Sequence, residues 1–296
     1  MFYDTHAHYD DERFSGDLDH LMVKMYLSGV NRIINVPRGI DTNFIMREKF
    51  SKFHWVKYAV GWNSNFVDFP ANILEKEKIR KVRELLADPD SYAVKTSLDW
   101  YRDADRDWQI WAFKELLGWA VEAEKPLIIH GRAAYEDVLK IYDEEMRSVS
   151  AKPGGVIHCF DGDFETALEF IDRGFYLEIG GQVTKLPALQ ETVARLPLER
   201  IVLETDAPYL TPKGCEGVNH SLNLPLICGK VAELLGQEPK KVEEVTYRNA
   251  EQLYRNPAPV RNIDLEELET LGNPFKNQSR TEVIEKMLKK SDQSEE

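Results

Sequence analysis

The sequence is poor in cysteine, with only Cys159, Cys215 and Cys228 among 296 residues. The number is odd and no two of them form a C-x-x-C pair, so neither a disulfide framework nor a thiolate zinc site is indicated. The basic start and apolar stretch of a signal peptide are also missing, and no apolar run approaches the roughly 18 residues of a membrane span. These absences predict a protein of a reducing compartment, the cytoplasm, without a membrane partner.

Positive charge is also scarce. The chain has 38 Lys and Arg against 51 Asp and Glu, which gives a net charge of -13. This is the wrong sign for a protein that holds a long nucleic acid through its phosphates, so we expect no stable binding of duplex nucleic acid. A small molecule or the end of a nucleic acid remains a candidate substrate where local positive charge overcomes the global field. The sequence leaves the oligomeric state open.

The pattern that is present is an alternation of strands and helices. Hydrophobic residues make up 43% and charged residues 30%, a globular composition. Short apolar runs predict eight strands, and between and after them apolar residues recur at helical spacing. The predicted strands cover 2–8, 32–37, 56–62, 92–98, 126–131, 155–160, 176–181 and 200–208. The predicted helices cover 17–29, 79–88, 108–125, 134–146, 164–174, 223–236 and 239–254.

Eight strands in this alternation favour an α/β fold of the (β/α)8 type, a TIM barrel, over an open doubly wound sheet. The barrel domain is predicted to cover residues 1–256. Residues 257–296 are polar with a weak helical pattern, and we expect a partly helical C-terminal extension there.

Histidine and aspartate residues recur where the predicted strands end. His6 and His8 lie two apart on the first strand, so both side chains face the same way. His130, His158 and Asp206 lie at the carboxyl ends of the fifth, sixth and eighth strands. Because these ends meet at one mouth of a barrel, the five residues are candidate ligands of one metal centre. Imidazole and carboxylate groups suit zinc or manganese.

Four motifs extend this interpretation, since their order and spacing resemble those of the TatD-type metal-dependent deoxyribonucleases of the amidohydrolase superfamily. The motifs are DTHAHYD (4–10), IIHGR (128–132), HCFDG (158–162) and LETDAPYLTP (203–212). The resemblance covers about residues 1–255. It implies a (β/α)8 barrel that uses one to three divalent ions to hydrolyse phosphodiesters, typically from DNA ends.

The same resemblance implies roles for individual residues. His6 and His8 would hold one metal together with Asp206, and His130 and His158 would hold a second. Asp206 would also take the proton of the attacking water, which makes it the candidate catalytic residue.

Lys95 departs from the family pattern. The family has a glutamate that bridges the metals in a segment like GEIGLDYY, and this sequence reads VKTSLDWY. An ammonium cannot bridge two cations, so three states of Lys95 are open: a carboxylated lysine, a charged lysine that replaces one metal, and a neutral amine ligand. Carboxylation restores a bridging anion and is placed first. Lys95 could also turn away and pair with Asp99 or Glu178.

The third predicted strand also differs from the family pattern. The family has a sequence like GIHPH there, whereas this chain reads GWNSNF and offers Asn63 and Asn65. Asparagine donates and accepts hydrogen bonds but neither carries charge nor shuttles protons. The two asparagines are therefore candidate substrate contacts, in a site with weakened phosphate recognition.

Other candidate substrate contacts flank the predicted mouth. Arg132 follows His130 and is suited to clamp a phosphate or carboxylate, or to form a salt bridge at the rim. Trp62 and Trp100 follow the third and fourth strands and are expected either to line the mouth as a platform for a flat group or to pack under loops. His220 lies in the loop after the eighth strand.

The sequence therefore predicts a divalent-metal-dependent hydrolase that holds one or two ions, zinc or manganese first and magnesium as an alternative. Activated water would attack a phosphodiester or phosphate ester. An amidohydrolase that acts on an amide or lactone is the alternative, favoured by Lys95 and the acidic net charge. A non-catalytic metal-binding protein is a third hypothesis, and the presence of Asp206 argues against it.

Overall fold

The computed structural model describes residues 1–63 and 73–254. Its eight parallel strands form one sheet in the sequential order β1 to β8. The strands are Phe2–Ala7, Val30–Asn35, Val56–Gly61, Ser91–Asp99, Leu127–Arg132, Gly155–His158, Phe175–Ile179 and Ile201–Leu203. The helices α1 to α9 are Leu18–Leu27, Thr42–Phe50, Ile73–Glu84, Arg106–Glu122, Tyr135–Glu145, Phe164–Asp172, Pro187–Val193, Leu224–Leu235 and Pro239–Leu253.

The first and last strands meet and close the sheet into a barrel. Ala7 and Ala207 form a parallel bridge, and the His8 N–H donates to the Ala207 carbonyl at 2.7 Å. The Asp206 N–H donates to the His6 carbonyl at 2.9 Å. The predicted (β/α)8 barrel is confirmed, and this seam places His6, His8 and Asp206 side by side.

The interior of the barrel is layered, because residues two apart on a strand point to the same face. The lower layer consists of buried, mainly small or branched side chains from six strands: Ile34, Ala59, Ala93, Ile128, Val156 and Val202. Tyr3 and Tyr254 pack against this layer, and Tyr254 immediately follows α9. Two residues beyond Ala93, Ile128, Val156 and Val202 in the sequence come the polar side chains Lys95, His130, His158 and Glu204. An apolar floor therefore supports a polar upper layer.

The helix predictions need three corrections. Helices α2 and α7 were not predicted, and α3 begins at Ile73 whereas the prediction began at 79. Helix α7 has seven residues and opens on Pro187, so it is too short to display a helical period. Helix α2 buries only Asn43, Met46 and Phe50, which leaves a weak apolar stripe in a mostly polar segment.

Two predictions fall on other parts of the chain. Asn65 and the extension over residues 257–296 lie outside the described residues. Within the described ranges, no helix combines the length and apolarity that crossing a membrane requires.

Candidate metal centre

Three side chains converge at the seam of the barrel. The Asp206 Oδ1 lies 3.2 Å from the His8 Nε2 and 3.6 Å from the His158 Nε2. All three residues are at least nine-tenths buried. Ligand atoms bound to one ion at about 2.0–2.2 Å lie roughly 3 to 3.5 Å apart, so these separations suit a shared divalent ion.

The backbone directs Asp206 into this position. It follows β8 with a φ of 54°, in the left-handed region, and its carbonyl accepts a hydrogen bond from the Tyr209 N–H at 2.8 Å. Burial raises the pKa of Asp206, but His8, His158 and Lys95 outweigh burial and bring this pKa below its ordinary value. Asp206 is therefore a carboxylate, the form that binds cations and accepts protons.

Hydrogen bonds select which nitrogen each histidine offers. The His8 Nδ1 lies 2.6 Å from the Val36 carbonyl, which can only accept, so Nδ1 carries the proton and Nε2 is the free donor atom. The His158 Nδ1 lies 2.6 Å from the Glu204 Oε2. Burial is the main cause that lowers the pKa of His158 and favours the neutral imidazole that metals bind.

His6 lies directly beneath these groups and is fully buried. Its ring stacks on that of His158 with centroids 3.5 Å apart, and its Nδ1 lies 3.3 Å from the Glu178 Oε2. Neither ring nitrogen has a hydrogen-bond partner among the described residues. A buried imidazole with two orphaned nitrogens needs a ligand to satisfy it, so the residues present fit a metal ion.

Glu178 and Glu204 are residues of this centre that the sequence did not single out as ligands. Both are fully buried, and the Glu204 Oε1 also accepts from the Cys159 N–H at 2.9 Å. The available signal was the two-residue spacing, because Glu204 precedes Asp206 by two positions. Three groups have ligand atoms that all lie within 4.8 Å of one another: His6, His158, Glu178 and Glu204; His6, His8 and Asp206; and His158, Cys159 and Asp206.

His130 lies at the edge of the centre. Its ring centroid is 5.9 Å from that of His158, and its Nε2 lies 3.3 Å from the Asp99 Oδ2. Burial lowers the pKa of His130 to about 4, against the opposing effect of Asp99. His130 belongs to none of the three metal-sized groups among the described residues, so the structure brings it near the centre but not into it.

Lys95 belongs to the same polar layer of the barrel as His130, His158 and Glu204. It is fully buried, and its Nζ has no hydrogen-bond partner among the described residues. Burial lowers the pKa of Lys95 to about 8, although the Glu178, Asp206 and Glu204 carboxylates act in the opposite direction. The pairing with Asp99 or Glu178 considered above is not formed as a contact ion pair.

Above the centre opens a cavity of about 450 Å³. Arg132 and Asn63, both predicted from the sequence, line it together with Arg38, Arg102 and Tyr209. The Arg132 guanidinium lies 3.8 Å from the centroid of the Tyr101 ring, and no carboxylate among the described residues forms an ion pair with it. Within the described part of the chain, Arg132 therefore offers an unpaired cation at the mouth, although the chain as a whole is acidic.

Trp62, Trp100 and His220 do not line this cavity. Trp62 is fully buried against Trp119, with ring centroids 5.5 Å apart, which corrects the expectation that it lines the mouth. The Trp100 indole N–H donates to the Asp137 Oδ2 at 2.7 Å, so this ring is fixed at the rim. All three were predicted from their positions after strands, and position alone does not determine the direction of a side chain.

The buried glutamates make the metal-free protein sensitive to alkaline pH. Burial and the Glu204 carboxylate raise the pKa of Glu178, and burial and Asp206 raise that of Glu204 from 4.5 to about 8. A raised pKa favours folding while the group keeps its proton, and the advantage is lost as pH rises towards the folded pKa. The histidines, with pKa values lowered from 6.5, change stability only below that pH.

We therefore expect metal-free protein to lose about 2 kcal/mol of stability between pH 6.5 and 8, or about 5 °C in Tm. Thermal unfolding of chelator-treated protein at half-unit pH steps measures this. The Glu204→Gln variant removes one of the two titrating groups and should show a shallower decline. A Tm that stays constant or rises over this window contradicts the prediction.

An α/β barrel that gathers imidazoles and carboxylates at the carboxyl ends of its strands is the architecture of a metal-dependent hydrolase. Residues 3–255 match the family model of the TatD related DNases. The chain is 33% identical over 262 residues to the uncharacterized metal-dependent hydrolase YabD of Bacillus subtilis, with coverage of 86% of this chain and 99% of the relative. The chain therefore belongs to the TatD family of metal-dependent hydrolases.

Two further comparisons extend this result. The chain is 27% identical to the 3'-5' ssDNA/RNA exonuclease TatD of Citrobacter rodentium, over 85% of this chain and 97% of the relative. Its fold matches the crystal structure of YJJV, a TatD homolog from Escherichia coli, with a TM-score of 0.78 at 23% identity, over 87% of this chain and 98% of that one. The predicted family and the prediction of an enzyme are both confirmed.

Proposed function

We propose that this enzyme hydrolyses a phosphodiester or phosphate ester with metal-activated water. The observation that carries the proposal is the position of Asp206, which faces the Nε2 atoms of His8 and His158 below a cavity lined by Arg38, Arg102 and Arg132. The arginines suit an anionic substrate, and the exonuclease relative supports a phosphodiester.

The residues proposed to hold the metal are His6, His8, His158 and Asp206, with His130 available to a second ion. Zinc or manganese suits this set of imidazoles and carboxylate, with magnesium as the alternative. A divalent ion in such a site supplies hydroxide at neutral pH by lowering the pKa of water towards about 7.

The chain's own residues bind the substrate and move the proton. Asp206 accepts the proton of the attacking water at Oδ1. Arg132 holds the anionic group of the substrate, and Asn63, whose Oδ1 has no partner among the described residues, accepts a hydrogen bond from it. Because Arg38 already contacts Asp11 at 3.0 Å and Tyr209 at 2.6 Å, it contributes less than Arg132.

The substrate is proposed to be a small molecule or the end of a single strand, since the acidic surface opposes a long nucleic acid. The cytoplasm is the proposed compartment, supported by three cysteines that are all free thiols. Hydrolysis of an amide or lactone is the second candidate function, because Lys95 stands where the family pattern has a metal-bridging glutamate.

A substrate panel tests the proposal. Protein loaded with zinc, manganese or magnesium is assayed on aryl phosphodiesters, aryl phosphates, single-stranded oligonucleotides, amides and lactones, beside the Citrobacter rodentium exonuclease. We expect turnover of the phosphorus esters, and turnover of oligonucleotides below that of the exonuclease. Turnover confined to the carbonyl substrates would reverse the assignment.

Arg132 provides a specific prediction. Its replacement by alanine removes a charge-assisted hydrogen bond worth about 1.5–3 kcal/mol, so KM for an aryl phosphodiester should rise about tenfold to hundredfold. The matched control is Arg147→Ala, which changes an exposed arginine just beyond α5. Steady-state kinetics measures the effect, and an unchanged KM means that Arg132 does not bind the substrate.

A further inference from the structure

Residues 205–209 form the turn that carries Asp206. Every backbone N–H and carbonyl of this turn is hydrogen-bonded. Buried backbone groups need partners, and the residues that supply them determine the shape of the turn. Outside the turn, three of these residues lie on β1 or directly after it, namely Asp4, His6 and His8. The fourth is Asn219, in the loop after β8.

Asn219 contacts the turn on both sides of Asp206. Its Nδ2 donates to the Thr205 carbonyl at 2.8 Å and to the Tyr209 carbonyl at 2.6 Å. Its main-chain N–H donates to the Pro208 carbonyl at 3.3 Å. Asn219 is fully buried, so its amide satisfies carbonyls that would otherwise be costly to bury. One side-chain nitrogen therefore bridges the two flanks of Asp206.

The Asn219 amide is itself held in place. Its Oδ1 accepts from the His220 N–H at 2.9 Å and from the Asn223 Nδ2 at 2.8 Å. Because two donors face Oδ1 and two carbonyls face Nδ2, only one orientation of the amide satisfies all of these bonds. The side chain therefore fixes the turn relative to the loop after β8.

The turn needs this support because of the conformation of Asp206. Its φ of 54° lies in the left-handed region, which costs free energy for a residue with a side chain. Such a conformation persists where the surrounding contacts determine it. In this conformation the Asp206 Oδ1 lies 3.2 Å from the His8 Nε2 and 3.6 Å from the His158 Nε2. A turn that relaxed would move the carboxylate away from both nitrogen atoms.

We infer that Asn219 is a positioning residue for Asp206, because it holds the turn in the conformation that directs the carboxylate to the metal centre. The inference rests on the proposed function, in which Asp206 binds the metal and accepts the proton of water. An amide suits this role, since it offers two donors without adding a charge beside Asp206.

Asn249 on α9 provides a matched control. Its Nδ2 also donates to two backbone carbonyls, those of Leu198 and Ile201, at 2.9 and 2.8 Å. It is also buried, and it lies at the end of β8 opposite to Asp206. Replacement of either asparagine by alanine removes an equivalent pair of bonds, so both variants should lose similar amounts of stability. Only Asn219→Ala should change the metal centre.

For Asn219→Ala we expect the Kd for zinc to weaken about tenfold to hundredfold, because a misplaced ligand binds metal less well. At saturating metal, kcat for an aryl phosphodiester should fall about tenfold to hundredfold, with KM near the wild-type value. Asn249→Ala should leave all three quantities near those of wild type. Titration with a fluorescent zinc chelator and steady-state kinetics measure them. Equal changes in the two variants would show that Asn219 supports only the fold and would overturn the inference.

A double-mutant cycle shows whether Asn219 acts through Asp206. In a chain that already carries Asp206→Asn, addition of Asn219→Ala should lower kcat no further, since residues that act as one unit are not additive. A further loss as large as that in the wild-type background would contradict the inference.

If Asn219→Ala does not fold, Asn223→Ala takes its place. This variant removes one of the two donors that hold the Asn219 Oδ1, and it should weaken zinc binding and lower kcat to a smaller extent. Unchanged Kd and kcat in this variant would refute the positioning role.

Failure of the inference differs from failure of the proposed function. Wild type that binds metal but turns over no phosphorus ester contradicts the proposed function, and the zinc Kd of the two asparagine variants still tests the positioning role. Wild type that is active, with Asn219→Ala equal to Asn249→Ala, contradicts the positioning role alone. Wild type that binds no metal contradicts both.

Discussion

Replacement of Asp206 by asparagine should lower kcat/KM about 10³-fold, within the range expected when a general base is lost. The amide keeps an oxygen that can contact a metal but cannot accept a proton. Asp206 is also the carboxylate shared by His8 and His158, at 3.2 and 3.6 Å. The loss should therefore fall mainly on kcat, with metal still detectable.

The matched control is Asp172→Asn, which changes an exposed aspartate at the end of α6. Both variants are compared at equal metal content, because Asp206→Asn also weakens the site. Asp206→Asn that stays within tenfold of wild type would show that another group takes the proton.

Removal of the metal should have the second large effect. A chelator is expected to reduce activity below about 1% of the starting value, since without the ion no hydroxide is supplied at neutral pH. The folded protein should also lose about 4 kcal/mol if the ion had been present at 1,000 times its Kd, which corresponds to a fall of about 10 °C in Tm. Addition of zinc or manganese should restore both quantities.

The control for chelation is a double variant, His8→Asn with His158→Asn, which lacks two of the proposed ligands. Its Tm should not respond to chelator or to added metal. Activity that persists in excess chelator, with less than about a tenth of an equivalent of metal bound, would rule out a metal-dependent reaction in this chain.

The architecture could be predicted because each strand and most helices have a recognisable local sequence pattern. Alternation of apolar runs with helical periods requires parallel connections, and eight such units favour a closed barrel. Helices α2 and α7 were not predicted, because α2 is mostly polar and α7 has only seven residues. Closure itself depends on contacts between Ala7 and Ala207, which no local pattern contains.

The residues at the mouth of the metal centre could also be predicted from local sequence position. Residues at carboxyl ends of parallel strands share a mouth, so His8, His158 and Asp206 were expected together. Glu178 and Glu204 lie deeper in the barrel. From the sequence alone, a glutamate in or next to a strand cannot be distinguished from a polar residue that faces solvent, because the sequence does not show which face of the strand points into the barrel. Trp62 illustrates the opposite error, since a residue after a strand can turn into the core.

The seam between β1 and β8 also determines when the centre can exist. The Thr5 hydroxyl donates to the Leu203 carbonyl across 198 residues of sequence, and the Asp206 N–H donates to the His6 carbonyl beside it. During synthesis β1 is made first, and it presents an unpaired edge until β8 has left the ribosome. A nascent chain that ends before β8 contains the histidines and Glu178 but neither Glu204 nor Asp206. The complete set of proposed ligands therefore exists only after the chain has been made as far as Asp206.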